Sequence, residues 1–157
     1  MLRQLLVAAA ISACTIVIHA LVMTAVVRAS QATAAKAASR PNLVLIAVMV
    51  ATVSVLMAAH ACEVIVWSLA YGLVDAVPSN TKLLYFAFVN YTTLGYGDVV
   101  PVERWQLLGP MTAMNGVLMF GWSTAVIFEV LRKAMAVETS ATDSPSSPGD
   151  LPRRGRI

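Results

Sequence analysis

Charge is scarce in this chain: Asp, Glu, Lys and Arg make up 12% of its 157 residues, roughly half the share of an ordinary soluble domain. With 59% hydrophobic residues, such a chain lacks the polar surface needed to wrap a core in water, which excludes an ordinary cytosolic globule. The net charge is only +3 and the basic residues are scattered, so nucleic-acid binding has no basis. Cysteine occurs twice, at Cys14 and Cys62, both within apolar stretches. That usage suits neither a disulfide framework nor a zinc site, and both thiols are expected as buried packing residues. Aromatic rings are absent before Trp67, and all eleven fall between Trp67 and Phe128. No stretch has arginine at every third position, as a voltage-sensing helix requires. No glycine-rich phosphate loop, calcium loop or internal repeat is present. No nucleophile or third ligand accompanies His60 and Glu63, so an enzyme, a cofactor or a small-molecule substrate finds no support.

What the chain has instead is long apolar runs. They extend from Leu5 to Val27, from Leu43 to Ala70 and from about Leu107 to Leu131. Each reaches the roughly 20 residues that a helix needs to cross about 30 Å of hydrocarbon. The reading is an all-α, multi-pass integral membrane protein in the cell membrane. The first run is longer than the apolar core of a signal peptide, which argues for a retained helix. Its Ala/Val/Leu composition marks it as a peripheral element. Arg28, Lys36 and Arg40 follow it without an acid, and Arg132 and Lys133 follow the third run. The positive-inside rule then places that connection and the C-terminus in the cytoplasm and the N-terminus outside, with Arg3 alone opposing. Trp67, Tyr71 and Trp105 are expected at the outer interface. The Ser/Pro/Gly-rich stretch over residues 136–157 is read as a disordered tail.

Between the second and third runs lies an apolar segment too short to span. Pro78, Ser79 and Asn80 are helix-start residues, with Ser79 or Asn80 as the expected cap, and a helix is expected over 80–92. That length is half a crossing, so the segment is re-entrant. Entering from outside, it directs the negative end of its dipole toward the membrane centre, where a cation is favoured. Thr93-Leu94-Gly95-Tyr96-Gly97-Asp98 follows, with glycines at alternate positions that allow left-handed backbone. Such backbone can turn successive carbonyls to one side. At membrane depth it is tolerated only if protein covers it or it lines a watery cavity. One strand cannot surround an ion, whereas four copies about an axis can. With one such segment per chain, the pore is expected from a homotetramer embedded in the bilayer.

Thr93–Asp98 resembles the T-x-G-Y-G-D selectivity-filter signature of potassium channels, with Leu94 where Val or Ile is commoner. At average composition the five fixed letters arise by chance in on the order of one such chain in 10,000. The order of outer helix, pore helix, filter and inner helix is similar to the two-helix pore module of that superfamily and to small bacterial channel proteins of this type. The resemblance covers roughly Leu43 to Lys133 and leaves the first helix and tail outside it. It implies a pore domain over 43–135, with an outer helix at 43–71, a pore helix at 80–92, the filter at 93–98 and an inner helix at 103–135. Residues 1–42 would form the additional membrane helix and its linker.

By the same resemblance, Thr93, Leu94, Gly95, Tyr96 and Gly97 bind the permeant K⁺, the carbonyls of Thr93 to Tyr96 and the Thr93 hydroxyl being its ligands. The Tyr96 ring packs outward into an aromatic cuff, and Tyr85 supports Asp98 through a hydrogen bond. Some channels carry a carboxylate four residues before the filter threonine; Val89 stands there in this chain, which puts inactivation behaviour in doubt. Gly116 falls close to a hinge glycine and Gly121 is a second candidate, the alternative being close helix packing. Phe120, Thr124 and Phe128 form one stripe, facing either the cavity or other helices. The function implied is passive, potassium-selective transport. A weakly selective cation pore and a non-conducting structural subunit are the alternatives.

Three ionisable sites complete the reading. His60 and Glu63 share a helix face, and serve either to brace the filter from behind, with pH sensitivity, or as a structural pair near the outer interface. His19 reads as a lone, satisfied packing histidine. Glu129 forms either an ion pair with Arg132 and Lys133 or, in four copies, a ring at the inner mouth.

Overall fold

The computed structural model describes residues 1–34 and 41–142. The described residues form four α-helices: α1 (Leu2–Ala34), α2 (Pro41–Leu73), α3 (Leu83–Tyr91) and α4 (Leu108–Thr142), with a 3₁₀ turn at Glu103–Trp105 before α4. Three of them are long and apolar enough to cross a membrane, over Leu2–Ala32, Leu43–Leu73 and Glu103–Lys133. Gly109 and Pro110 lie in the first turn of α4, where the missing proline N–H removes no helical bond. The helix continues to Thr142, so the first residues expected in a disordered tail are helical. The remainder of that tail and the connection around Lys36 lie outside the described residues.

α1 packs against both α2 and α4, and α3 is wedged between α2 and α4. The spacing of the buried residues explains the arrangement. On α4 they are Leu108, Thr112, Asn115, Met119, Ser123, Val126 and Val130, separated by three or four residues, which keeps one stripe turned inward. On α2, His60, Glu63, Trp67 and Tyr71 follow the same rule, as do Thr15, His19, Met23 and Val26 on α1.

α1 is therefore an integral part of the bundle, and the expectation of a peripheral helix fails. Gln4 accepts the Leu107 N–H at 3.0 Å, and the Arg3 guanidinium lies 5.1 Å from the Trp105 ring centre. These contacts place the start of α1 at the same end as the loop leading into α4.

Trp67, Tyr71 and Trp105 are likewise buried inside the chain rather than spread along an interface. The first two owe this to polar partners: Trp67 Nε1 donates to Asn115 at 3.1 Å, and the Tyr71 and Thr112 hydroxyls are 2.5 Å apart. A polar tip with an internal partner gains nothing by turning to the membrane surface. Cys14 and Cys62 show the opposite departure, since both are exposed on the single chain. In a bundle whose exterior meets lipid or further copies, a small apolar side chain has no need of burial.

Candidate pore and its buried polar support

α3 has nine residues, Leu83–Tyr91, and starts three residues later than the expected 80. Pro78 to Thr81 form a turn closed by Thr81 N–H to Pro78 C=O at 3.0 Å. Those residue types favour turns as strongly as helix starts. Lys82 is the extended residue before the helix, and no side chain caps it, so Ser79 and Asn80 do not cap. Phe86, Ala87, Val89 and Tyr91 are buried and anchor α3 between α2 and α4.

Beyond α3 the backbone departs from every regular form. The Leu94 N–H bonds Val89 C=O at 2.9 Å, and the Thr93 N–H bonds Asn90 C=O at 3.0 Å. Thr93, Gly95 and Gly97 have φ of +60°, +59° and +77°, whereas Leu94 and Tyr96 between them do not enter the left-handed region. Left-handed backbone at alternate positions can turn successive carbonyls to one side. Thr93 is β-branched, so its positive φ is a strained position of the kind that clusters at functional sites. The Tyr85 hydroxyl donates to Asp98 Oδ2 at 2.8 Å, the hydrogen bond that the resemblance implies. The bond and the adjacent carboxylate hold the phenol above its ordinary titration range, so it stays a donor. Residues 93 to 98 are all exposed on the single chain, and Tyr96 is 67% exposed.

The proposed hinges behave differently. A Cβ on Gly116 would lie 2.0 Å from the Tyr91 carbonyl oxygen, so this glycine lets α4 touch the end of α3. Close packing accounts for Gly116, while Gly121 has open space around it. Of the stripe beyond, Phe120 turns partly inward, with its ring 4.5 Å from His60 and 5.5 Å from Tyr91. Phe128 is 67% exposed. Thr124 is also exposed, its hydroxyl bonded to Phe120 C=O at 2.9 Å. Glu129 pairs with Arg132 at 2.9 Å and Lys133 at 3.0 Å, at the cytoplasmic end expected for the third span.

Behind α3 lies a buried polar cluster drawn from all four helices. Glu63 is fully buried and accepts the Tyr91 hydroxyl directly. His60 Nδ1 is 3.3 Å from Glu63 Oε2 and 3.0 Å from the Tyr91 oxygen. His19 is not lone: its Nδ1 is 2.6 Å from Glu63 Oε1. The expected pairing of His60 with Glu63 is present, and it sits against the end of α3. Tyr91, which both residues contact, precedes Thr93 by two residues.

A second polar layer lies one to two turns away, where Thr15 Oγ1 and Trp67 Nε1 both reach Asn115 Oδ1 at 3.1 Å. Sequence reasoning missed Thr15, His19, Asn115 and Ser123. The signal available was that Thr15 and His19 are four apart and Asn115 and Ser123 eight apart within otherwise apolar runs, so that each pair shares a helix face.

The ligand-type atoms of His19, His60 and Glu63 lie within 4.8 Å of one another. The closest contact among them, 2.6 Å between His19 and Glu63, is a hydrogen-bond length.

Residues 43–133 match a family model described as an ion channel. Comparisons with curated proteins and with solved structures give no match.

Proposed function

The chain belongs to the ion-channel family, and from that premise we propose that it is a potassium-selective subunit acting as a homotetramer. The observation that carries this reading is the alternation of left-handed backbone at Thr93, Gly95 and Gly97, directly after a half-length helix, in the order Thr-Leu-Gly-Tyr-Gly-Asp. Four such segments about an axis form stacked rings of oxygen from Thr93, Leu94, Gly95 and Tyr96, which replace the hydration shell of K⁺. The C-terminal ends of four α3 dipoles point toward the ion from below the filter. Asp98, held by Tyr85, adds negative charge at the outer mouth. Transport is passive, with ions stepping between rings. The filter mouth and N-terminus face outward and α4 ends in the cytoplasm.

Reconstitution in liposomes tests this, followed by K⁺ or Rb⁺ flux and a bi-ionic reversal potential. Flux with strong K⁺ preference is expected. Equal Na⁺ and K⁺ permeability would replace the reading with a weakly selective pore, for which Leu94 in the filter and Val89 behind it are the reasons to look. No flux from a verified tetramer would leave a structural subunit.

A further inference from the structure

The chain has only two histidines, and both press on one buried carboxylate, a feature that ion conduction does not require. We infer that His19, His60, Glu63 and Ser123 form a site binding one proton per subunit: at neutral pH one histidine is an imidazolium, the other is neutral, and the Ser123 hydroxyl links them.

Counting donors and acceptors leads to this state. Glu63, as a carboxylate, accepts from His19 Nδ1–H on one oxygen and from the Tyr91 hydroxyl on the other. The His60 Nδ1–H serves Tyr91 Oη at 3.0 Å and Glu63 at 3.3 Å. Both rings therefore use Nδ1 as a donor and direct Nε2 at the same atom, Ser123 Oγ, at 3.0 Å from His60 and 3.4 Å from His19. A serine hydroxyl has one proton to give and lone pairs to accept with. With Glu63 ionised and both rings neutral, two Nε2 acceptors would compete for that proton and one would stay unsatisfied. If both were charged, the serine proton would have no acceptor in the ring. One imidazolium satisfies every atom: its Nε2–H donates to Ser123 Oγ, and the Ser123 proton goes to the other Nε2.

Charge is balanced in the same state. The groups facing the cluster are His19 from α1, His60 and Glu63 from α2, Tyr91 from α3 and Ser123 from α4, with the Phe120 and Trp122 rings beside the imidazoles. Among the described residues no Lys, Arg or Asp contacts them. A buried carboxylate is neutralised by a nearby cation or by a proton of its own. One imidazolium brings the cluster to zero, and the competing state, a protonated Glu63 between two neutral rings, is the one the spectrum below separates from it. Transfer between the rings is balanced: Ser123 Oγ takes the proton of the charged Nε2 as it releases its own to the other.

The test is ¹⁵N NMR of histidine-labelled full-length protein in lipid nanodiscs, where only two rings contribute. At pH 7 the expected spectrum has one imidazolium and one neutral ring per chain, or, under fast exchange, both rings at the half-protonated average. Two neutral or two charged rings would overturn the proposal. Glu63→Gln should give two neutral rings, and a surviving imidazolium in that variant overturns it as well. If that variant fails to fold, Ser123→Ala decides in its place: the imidazolium should persist but be confined to one ring, and continued averaging over both counts against the proposal. Added Zn²⁺ should leave both rings unshifted; displacement of the imidazolium by zinc would assign the site to metal instead.

A consequence for conduction rests on the pore reading. Removing the proton leaves Glu63 unneutralised beside Tyr91, so K⁺ flux should become pH-dependent through this site and lose that dependence in Glu63→Gln. One imidazolium with pH-independent flux would keep the site and sever its link to the pore, a result distinct from absence of flux.

Discussion

At Gly116 a single missing atom decides how close two helices come. A Cβ there would meet the Tyr91 carbonyl oxygen at 2.0 Å, a backbone atom with no rotamer to yield. Gly116→Ala must push α4 from α3 or shift the residues leading into Thr93, and overpacking of this kind costs about 1–3 kcal/mol. Gly121→Ala meets nothing within 4 Å and gains helix propensity. The expected outcome is that Gly116→Ala lowers the thermal midpoint and the flux while Gly121→Ala leaves both unchanged or raises the midpoint. Reduced flux in Gly121→Ala alone would restore it as a hinge. Gly95 poses a conformational problem rather than a spatial one. Its φ of +59° sits where a side chain costs about 1–2 kcal/mol per residue, and four copies would bear that cost in one ring system. Gly95→Ala should abolish K⁺ selectivity or conduction in the liposome assay. Normal K⁺ flux in that variant would remove Thr93–Gly97 from consideration as the filter.

At the scale of elements, α1 is the part whose role changes most between sequence and structure. It supplies Thr15 to Asn115 and His19 to Glu63, so two polar groups on other helices depend on it. These two bonds differ in weight. Hydrogen bonds between membrane helices average about 0.6 kcal/mol, which sets the expected cost of Thr15→Val. His19→Leu removes a donor from a fully buried carboxylate, and leaving such a group unsatisfied costs about 1–3 kcal/mol or more. Unfolding midpoints in a denaturing-detergent titration should fall slightly for the first and several-fold more for the second. Equal effects would mean that His19 is merely a packing side chain. The three spans and the short fourth segment are legible in the sequence because apolar length alone separates a crossing from half a crossing. The glycines at 95 and 97 are legible because few residues but glycine accept positive φ. The positive φ at Thr93 is not, since a β-branched residue gives no local sign of it. Nor does periodicity reveal which helix a buried polar residue meets. His19 reads as isolated because its partner lies 44 residues away on another helix. Trp67 and Tyr71 suggest a membrane interface because amphipathic rings favour it, and only the internal acceptors Asn115 and Thr112 reverse that preference.

At the scale of the molecule, one chain leaves its most irregular segment uncovered. Residues 93 to 98 are exposed on the chain, Leu94 and Tyr96 by 55% and 67%. Irregular backbone at membrane depth cannot face lipid, because its N–H and C=O groups would have no partners there. On the proposed reading the missing cover comes from further copies and from the ion, and this ties assembly to K⁺ by linkage. An ion that binds only between four chains stabilises the tetramer by RT ln(1 + [L]/Kd), which is about 2.7 kcal/mol when its concentration is 100 times Kd. The tetramer should therefore survive to a higher temperature in KCl than in NaCl at equal ionic strength, read as the four-chain band or mass after heating in mild detergent. Matching the ionic strength removes general screening, since both salts have the same Debye length. Gly95→Ala should bring the two salts together by spoiling the carbonyl rings, whereas Gly121→Ala should preserve the difference. A tetramer equally stable in both salts would mean that its assembly does not depend on a K⁺-selective site, whatever the family to which the chain belongs.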